Sequence, residues 1–316
     1  MTGDLPKAFD RNFAIGFFLP SAICILGCLA CARFLGYTIG SGIAGRNPWF
    51  DTSLLAVFTW LGGVLLMALN RTLIRLKEGY GEQNPALLWK RFESRRYRKL
   101  MSDLEQVEQE WWGCVDRKEE PSDSLKKRRI QIFLRAAEEF PDSEDLLMPT
   151  RFGNTLRAFE VYPRVMYGLE AISGWDRLLA VIPKEMQEIM EGLKSQMDFW
   201  VNLWFLGLAF SIPWSVLCVL EGKPSLLWVS VAVFLVSIWS SRRARYAAAD
   251  WGSLVKAAFD TSLPELIKRL GLAVGETSET QRAVLQSFSQ AVTYRDAECL
   301  PPRKPSGDKQ APAGVE

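Results

Sequence analysis

"FWVNLWFLGLAFSIPWSVLCVL" (residues 199–220) runs for 22 residues without a Lys, Arg, Asp or Glu. About 20 apolar residues, at about 1.5 Å of helical rise each, cross the hydrocarbon core of a bilayer. A surface helix of a soluble protein keeps a polar face, and this stretch has none. It therefore reads as a membrane span. Residues 13–32, about 52–69 and about 226–239 are three further apolar runs without charge. The second and fourth runs are short, and need flanking Ser, Thr and Trp or a locally thinned bilayer. Pro20 and Pro213 fall inside spans and predict kinks that membrane helices tolerate. Trp49, Trp200, Trp204, Trp228 and Trp239 flank the runs, where amphipathic rings suit the headgroup layer.

Composition agrees. The 316-residue chain is 48% hydrophobic and 23% charged, and its mean hydropathy of +0.01 conceals apolar runs alternating with charged stretches. A net charge of +2 favours no particular partner. Histidine is absent, which excludes Ser-His-Asp and Cys-His nucleophiles, HExxH zinc sites and His-ligated haem. Most of the six cysteines lie in apolar runs, so neither a disulfide framework nor a structural zinc site is expected. No cofactor or metal is implied. "ILGC" (25–28) resembles a lipobox, but Asp4, Asp10 and Pro20 precede it and the chain stays apolar after Cys28. Cys24, Cys28 and Cys31 with Gly27 read instead as a small-residue face for a neighbouring helix, as do Gly62, Gly63 and the Gly207/Ser211 pair.

Lys and Arg near span ends set direction. Arg71, Arg75 and Lys77 follow the second run, and Arg242, Arg243 and Arg245 follow the fourth. Lys7 and Arg11 precede the first run, whereas the two short connections hold little: Arg46 in one and Lys223 in the other, with Arg33 at the end of the first span. The expected protein is an all-α integral membrane protein, with four transmembrane helices as two hairpins flanking a helical cytoplasmic domain. The boundaries are 1–12 (cytoplasmic N-terminus), 13–72 (first hairpin), 73–197 (cytoplasmic domain), 198–240 (second hairpin), 241–273 (cytoplasmic helices) and 274–316 (mostly disordered tail). Both termini are then cytoplasmic.

Within 73–112 apolar residues recur at helical spacing, broken near Gly79, Gly81 and Pro85. A second helix runs from Ser122 or Ser124 to Phe140. Lys126, Lys127, Arg128 and Arg129 form a basic run on it; a solvated face is the simplest account, and contact with anionic lipid the alternative. Nucleic acid is not an expected partner, because acidic residues match the basic ones. Val165 to Ile182 is semi-apolar and predicts an interfacial or membrane-packed helix. Ser262 and Glu265 are spaced as a capping box for a short helix, and Gln281–Val292 predicts another that could dock a partner. "PPRKPSGDKQAPAG" (301–314) reads as disordered.

Between these lies "PTRFGNTLRAFEVYPRVMYG" (149–168). Thr150 can cap a helix starting at Arg151, with Phe152, Leu156 and Phe159 on its buried side. Pro163 predicts an end or kink near Tyr162. Arg151, Asn154, Arg157, Glu160, Tyr162, Arg164 and Tyr167 are its candidate site residues, read as a membrane-proximal elbow. The pattern PTRxGNxLR followed by YPRxxYG resembles a motif of uncharacterised bacterial multi-pass membrane proteins. That resemblance implies a bacterial membrane location and no chemistry. An interaction or scaffold role ranks first, through the bilayer-anchored cytoplasmic domain, with a protein partner or a homo-oligomer. An oligomeric pore ranks second. A membrane-associated enzyme on a lipid or phosphate-containing substrate ranks third, since no catalytic constellation is recognisable.

Overall fold

The computed structural model describes residues 10–36, 48–275 and 277–302. The described residues are helical throughout, with no strand. α1 opens as Arg11–Phe13, passes through a π-helical turn at Ala14–Phe18 and continues as Leu19–Leu35. Then come α2 (Pro48–Glu78), α3 (Lys90–Asp116), α4 (Asp123–Glu139), α5 (Arg151–Tyr167), α6 (Ala171–Leu179), α7 (Lys184–Leu220), α8 (Leu227–Leu270) and α9 (Ser278–Tyr294). Four helices are long and apolar enough to cross a membrane: Arg11–Phe34, Asp51–Glu78, Lys184–Leu220 and Pro224–Leu270. Their outer faces leave Leu65, Ile212, Val219, Leu220 and Leu235 about three-fifths exposed or more. So much contiguous apolar surface suits a lipid solvent and not water.

The chain forms two compact units, Met1–Ala158 with Glu188–Gly252, and Phe159–Gln187 with Ser253–Glu316. α5, α7 and α8 contribute to both. In the first unit, small residues bring the spans together. Ser21 Oγ donates to the Thr59 carbonyl at 2.9 Å, and a Cβ on Gly62 would collide with Ser21. A Cβ on Gly207 would sit 2.9 Å from Ser237 Cβ, while Ser215 and Ser230 share a 2.7 Å hydrogen bond. Gly27 meets nothing within 4 Å, so the small-residue face expected of α1 narrows to Cys31, which is buried beside Trp214, Cys218 and Val229. Trp200 packs edge-on against Trp239 at 4.9 Å.

α3 and α4 form a paired arm in the same unit. Ser122 caps α4, its hydroxyl accepting from the Leu125 N–H at 3.3 Å. Tyr97, Leu100, Phe140 and Leu147 make a small core, with Ile132 and Ala136 packed on it. Charge pairs stitch its outside, including Arg98–Glu144 at 2.7 Å and Arg129–Glu108 at 2.5 Å. The Arg98 guanidinium holds the Glu144 carboxyl below the usual carboxylate range, and Arg129 does the same to Glu108.

The second unit is built around Leu169, Leu178, Phe259, Leu266 and Leu285, all at most 2% exposed. Four sequence expectations change here. Helix α5 does not stop near Tyr162 but runs through Pro163 to Tyr167, because the ring is wholly buried among packed neighbours. The stop is Gly168, whose positive φ of 76° and close approach to the Arg282 carbonyl exclude a side chain. Residues 165–182 are therefore not one interfacial helix: they close α5, turn, and form the nine-residue α6, whose Leu178 fills a core. Ser262 starts no new helix, since α8 continues past it and past Pro264 to Leu270. Helix α9 is longer than the expected 281–292, is capped by Thr277, and buries Leu285, Phe288 and Ala291. Residues 303–314 of the tail expected to be disordered lie outside the described residues.

Candidate functional site

The first half of the 149–168 motif clamps the end of α2. The Thr150 hydroxyl accepts from the Gly153 N–H at 2.9 Å, capping α5, and shares its one proton between the Lys77 and Glu78 carbonyls at 2.9 and 3.1 Å. One side chain thus serves the orphan groups of two helix ends. Gly153 permits the approach: a Cβ there would lie 2.5 Å from the Glu78 carbonyl oxygen and 2.8 Å from Met148 Cβ. Gly79, at φ 98°, turns the chain out of α2 against the Pro149 ring.

Asn154, fully buried, joins this clamp to a charge network. Its Oδ1 accepts from the Met148 N–H at 2.7 Å and its Nδ2 donates to Glu93 Oε2 at 3.2 Å. Glu93 is buried and pairs with Arg96 at 2.7 Å and, more loosely, with the exposed Arg151 at 3.6 Å. Arg96 bridges on to Glu139 at 2.7 Å, which Arg135 and Arg245 approach at 3.6 and 3.8 Å. Removing one partner of such a buried pair costs about 3–5 kcal/mol. Arg157 donates to the Tyr80 hydroxyl, whose ring Arg75 covers at 5.1 Å. Lys77 is 5% exposed, bonds Ser241 Oγ at 2.6 Å, and lies 4.1 Å from the Trp204 ring centroid and 5.4 Å from that of Phe152. Among the described residues no carboxylate pairs with it, so aromatic faces supply the negative potential.

A second polar cluster in this unit lies where α1, α2 and α7 meet. Pro20 has no N–H to give the Gly16 carbonyl its ordinary helical partner. That carbonyl accepts from Asn202 Nδ2 at 2.8 Å. Ser195 Oγ donates to the Asn12 carbonyl at 2.7 Å. Asp198, 2% exposed, accepts from Asn70 Nδ2 at 3.1 Å and pairs with Lys194 at 2.9 Å. Asn70 Oδ1 and Asn202 Oδ1 are buried without a hydrogen-bond partner. Asn70 and Asn202 are polar groups near span ends, and Asp198 stands one residue before the charge-free run 199–220.

The second half of the motif, from Phe159 on, belongs to the other unit. Tyr162 and Tyr167 both donate to Asp260 Oδ1, at 2.8 and 2.6 Å, with their rings edge-to-face at 6.3 Å. Burial first, then the Asp260 bond, pushes both phenols above their ordinary range. Lys256 lies 5.8 Å from the Tyr162 ring centroid. Arg164 approaches Glu170 at 3.9 Å, and Glu160 faces solvent.

The basic run is largely internally paired: Lys126 with Glu120 at 2.8 Å, Arg128 with Glu110 at 3.4 Å and Arg129 with Glu108. Lys127 alone of the four makes no ion pair among the described residues. An open cleft of about 450 Å³ at the arm's tip is lined by Glu110, Cys114, Arg117, Ser124 and Arg128, among others. Among the described residues no group of three His, Cys, Asp or Glu side chains is placed to hold a metal ion. No protein family, curated protein or solved structure matches the chain.

Proposed function

We propose that the protein is a multi-pass inner-membrane component that presents the α3–α4 arm on the cytoplasmic side as an interaction surface. The four spans form two hairpins around the arm, and both termini lie in the cytoplasm. One observation carries this reading: α4 buries no residue, although it is apolar on two sides. One side, with Ile132 and Ala136, meets α3. The other carries Ile130, Phe133, Leu134 and Ala137 at helical spacing, with the first three 59%, 40% and 56% exposed. Such a stripe is how a helix addresses another helix. Lys127 and Glu138 lie at its two ends, each exposed and without an ion pair among the described residues. An antiparallel helix carrying the same pattern would set opposite charges against both, so a partner helix or a second copy fits. Photocrosslinker at Leu134 in intact membranes should give a discrete adduct, and Leu134→Glu should abolish an adduct formed from Ile130. No adduct from either position would remove this reading.

An oligomeric pore has one observation in its favour, the buried Asn70–Asp198–Asn202 cluster between candidate spans. Conductance in liposomes that responds to Asp198→Asn would favour it over the interaction role.

A further inference from the structure

We propose that Asp198, Asn70 and Asn202 form a binding site for a monovalent alkali cation, with Lys194 as the tethered cation that occupies it when no ion is bound. The inference goes beyond either functional reading above and needs neither.

The first support is the oxygen set. Asp198 brings a carboxylate that is 3% exposed at its side chain. Asn202 follows one helical turn later on the same face of α7, fully buried, with Oδ1 unpartnered. Its orientation is fixed by chemistry, because its Nδ2 must face the Gly16 carbonyl that it donates to. Asn70 reaches Asp198 from α2 with its own Oδ1 also buried and unpartnered. Rotating that amide half a turn replaces a donor by an acceptor beside the carboxylate, which only a cation or a proton would favour. A buried acceptor left unsatisfied carries an uncompensated desolvation cost. Asp198 and Asn202 lie one turn apart on one face of α7 and Asn70 contacts Asp198, so the carboxylate and the two unpartnered amide oxygens are hard donors of the kind an alkali ion takes.

The second support is the backbone. The π-helical turn at Ala14–Phe18 lies against this face of α7, with an added Gly16 Cβ falling 3.5 Å from Asp198 Cβ and 3.4 Å from Ser195 Oγ. Single π turns recur at functional sites because they displace carbonyls from the helical ladder. Here the displaced Gly16 carbonyl orients Asn202.

Lys194 explains how charge is balanced in the empty state. It is on the same helix, four residues earlier, and its side chain is 43% exposed while Asp198 is closed off. Its ammonium can swing outward when an ion enters, so one positive charge replaces another and the buried net charge is unchanged. A divalent ion would leave excess charge on a single carboxylate.

The test uses the full chain in detergent or nanodiscs. Thermal midpoints are measured across NaCl concentrations, with choline chloride holding ionic strength constant, alongside equilibrium binding of radiolabelled sodium. Wild type should show a saturable rise in midpoint and saturable sodium binding. Asp198→Asn and Asn202→Leu should lose both. Lys194→Met, lacking the competitor, should bind sodium about tenfold more tightly, equivalent to about 1.4 kcal/mol. A merely structural cluster filled by water would show no preference for sodium over choline. Absence of saturable sodium binding to wild type overturns the proposal whether or not the variants fold, as does sodium binding unchanged in Asp198→Asn or weakened in Lys194→Met.

Discussion

Gly153→Ala should destabilise the protein, although Ala is the better helix former. In an open helical position the exchange gains about 1 kcal/mol. At Gly153 the new methyl would lie 2.5 Å from the Glu78 carbonyl oxygen and 2.8 Å from Met148 Cβ. The first obstacle is backbone, so no rotamer change relieves it. Helix α5 would have to retreat from the end of α2, stretching the Thr150 hydroxyl bonds to the Lys77 and Glu78 carbonyls. Overpacking of this kind costs about 1–3 kcal/mol. With two obstacles under 3.0 Å, one of them backbone, the upper part of that range applies, about 2–3 kcal/mol; net of propensity the loss should be about 1–2 kcal/mol, roughly a 5- to 30-fold fall in the folded-to-unfolded ratio. Gly192→Ala is the matched control, because Gly192 lies inside α7 with nothing within 4 Å of an added Cβ. It should gain about 1 kcal/mol. Denaturant titration in detergent micelles, followed by tryptophan fluorescence, reads both. Equal or greater stability in Gly153→Ala, with Gly192→Ala behaving as expected, would refute the close docking of α5 on α2.

Other outcomes follow from the same contacts. Asn154→Ala should cost about 1–3 kcal/mol in the same titration, because it strands the buried Met148 N–H and withdraws a donor from Glu93. Tyr162 and Tyr167 have raised folded-state pKa values, so their contribution to stability is complete below the ordinary phenol value, about 10, and is lost as pH rises through the folded values. Ultraviolet titration should show Tyr162 and Tyr167 ionising above the ordinary phenol value, and Asp260→Asn should bring them partly back; a titration unchanged by Asp260→Asn would contradict the cluster. The depressed Glu144 and Glu108 work oppositely: the arm should be fully tied above the ordinary glutamate value and loosen as pH falls below it, read as faster amide exchange in α4.

The spans were legible because a bilayer imposes length and apolarity on a contiguous stretch, and residues 199–220 meet both conditions locally. Thr150 was legible as a cap for the same reason: its partner is three residues away. Pro163 misled because a local rule predicts a break that burial of its ring outweighs, and the true stop needed the positive φ of Gly168. The polar cluster was visible only in fragments. Asn70 and Asp198 are 128 residues apart in sequence, and nothing in either neighbourhood announces the other. The four-residue basic run read as a solvated face, with anionic lipid as the alternative; three of its members pair with carboxylates, Lys126 locally with Glu120, and Arg128 and Arg129 with residues whose proximity depends on α3 pairing with α4.

The central claim is a four-span protein with its central arm and termini on one side. Alkaline phosphatase fused after Lys223, in the short connection between α7 and α8, and after Glu119, between α3 and α4, tests it directly. The account predicts an active fusion at Lys223 and a silent one at Glu119. Activity at Glu119 with silence at Lys223 would contradict it.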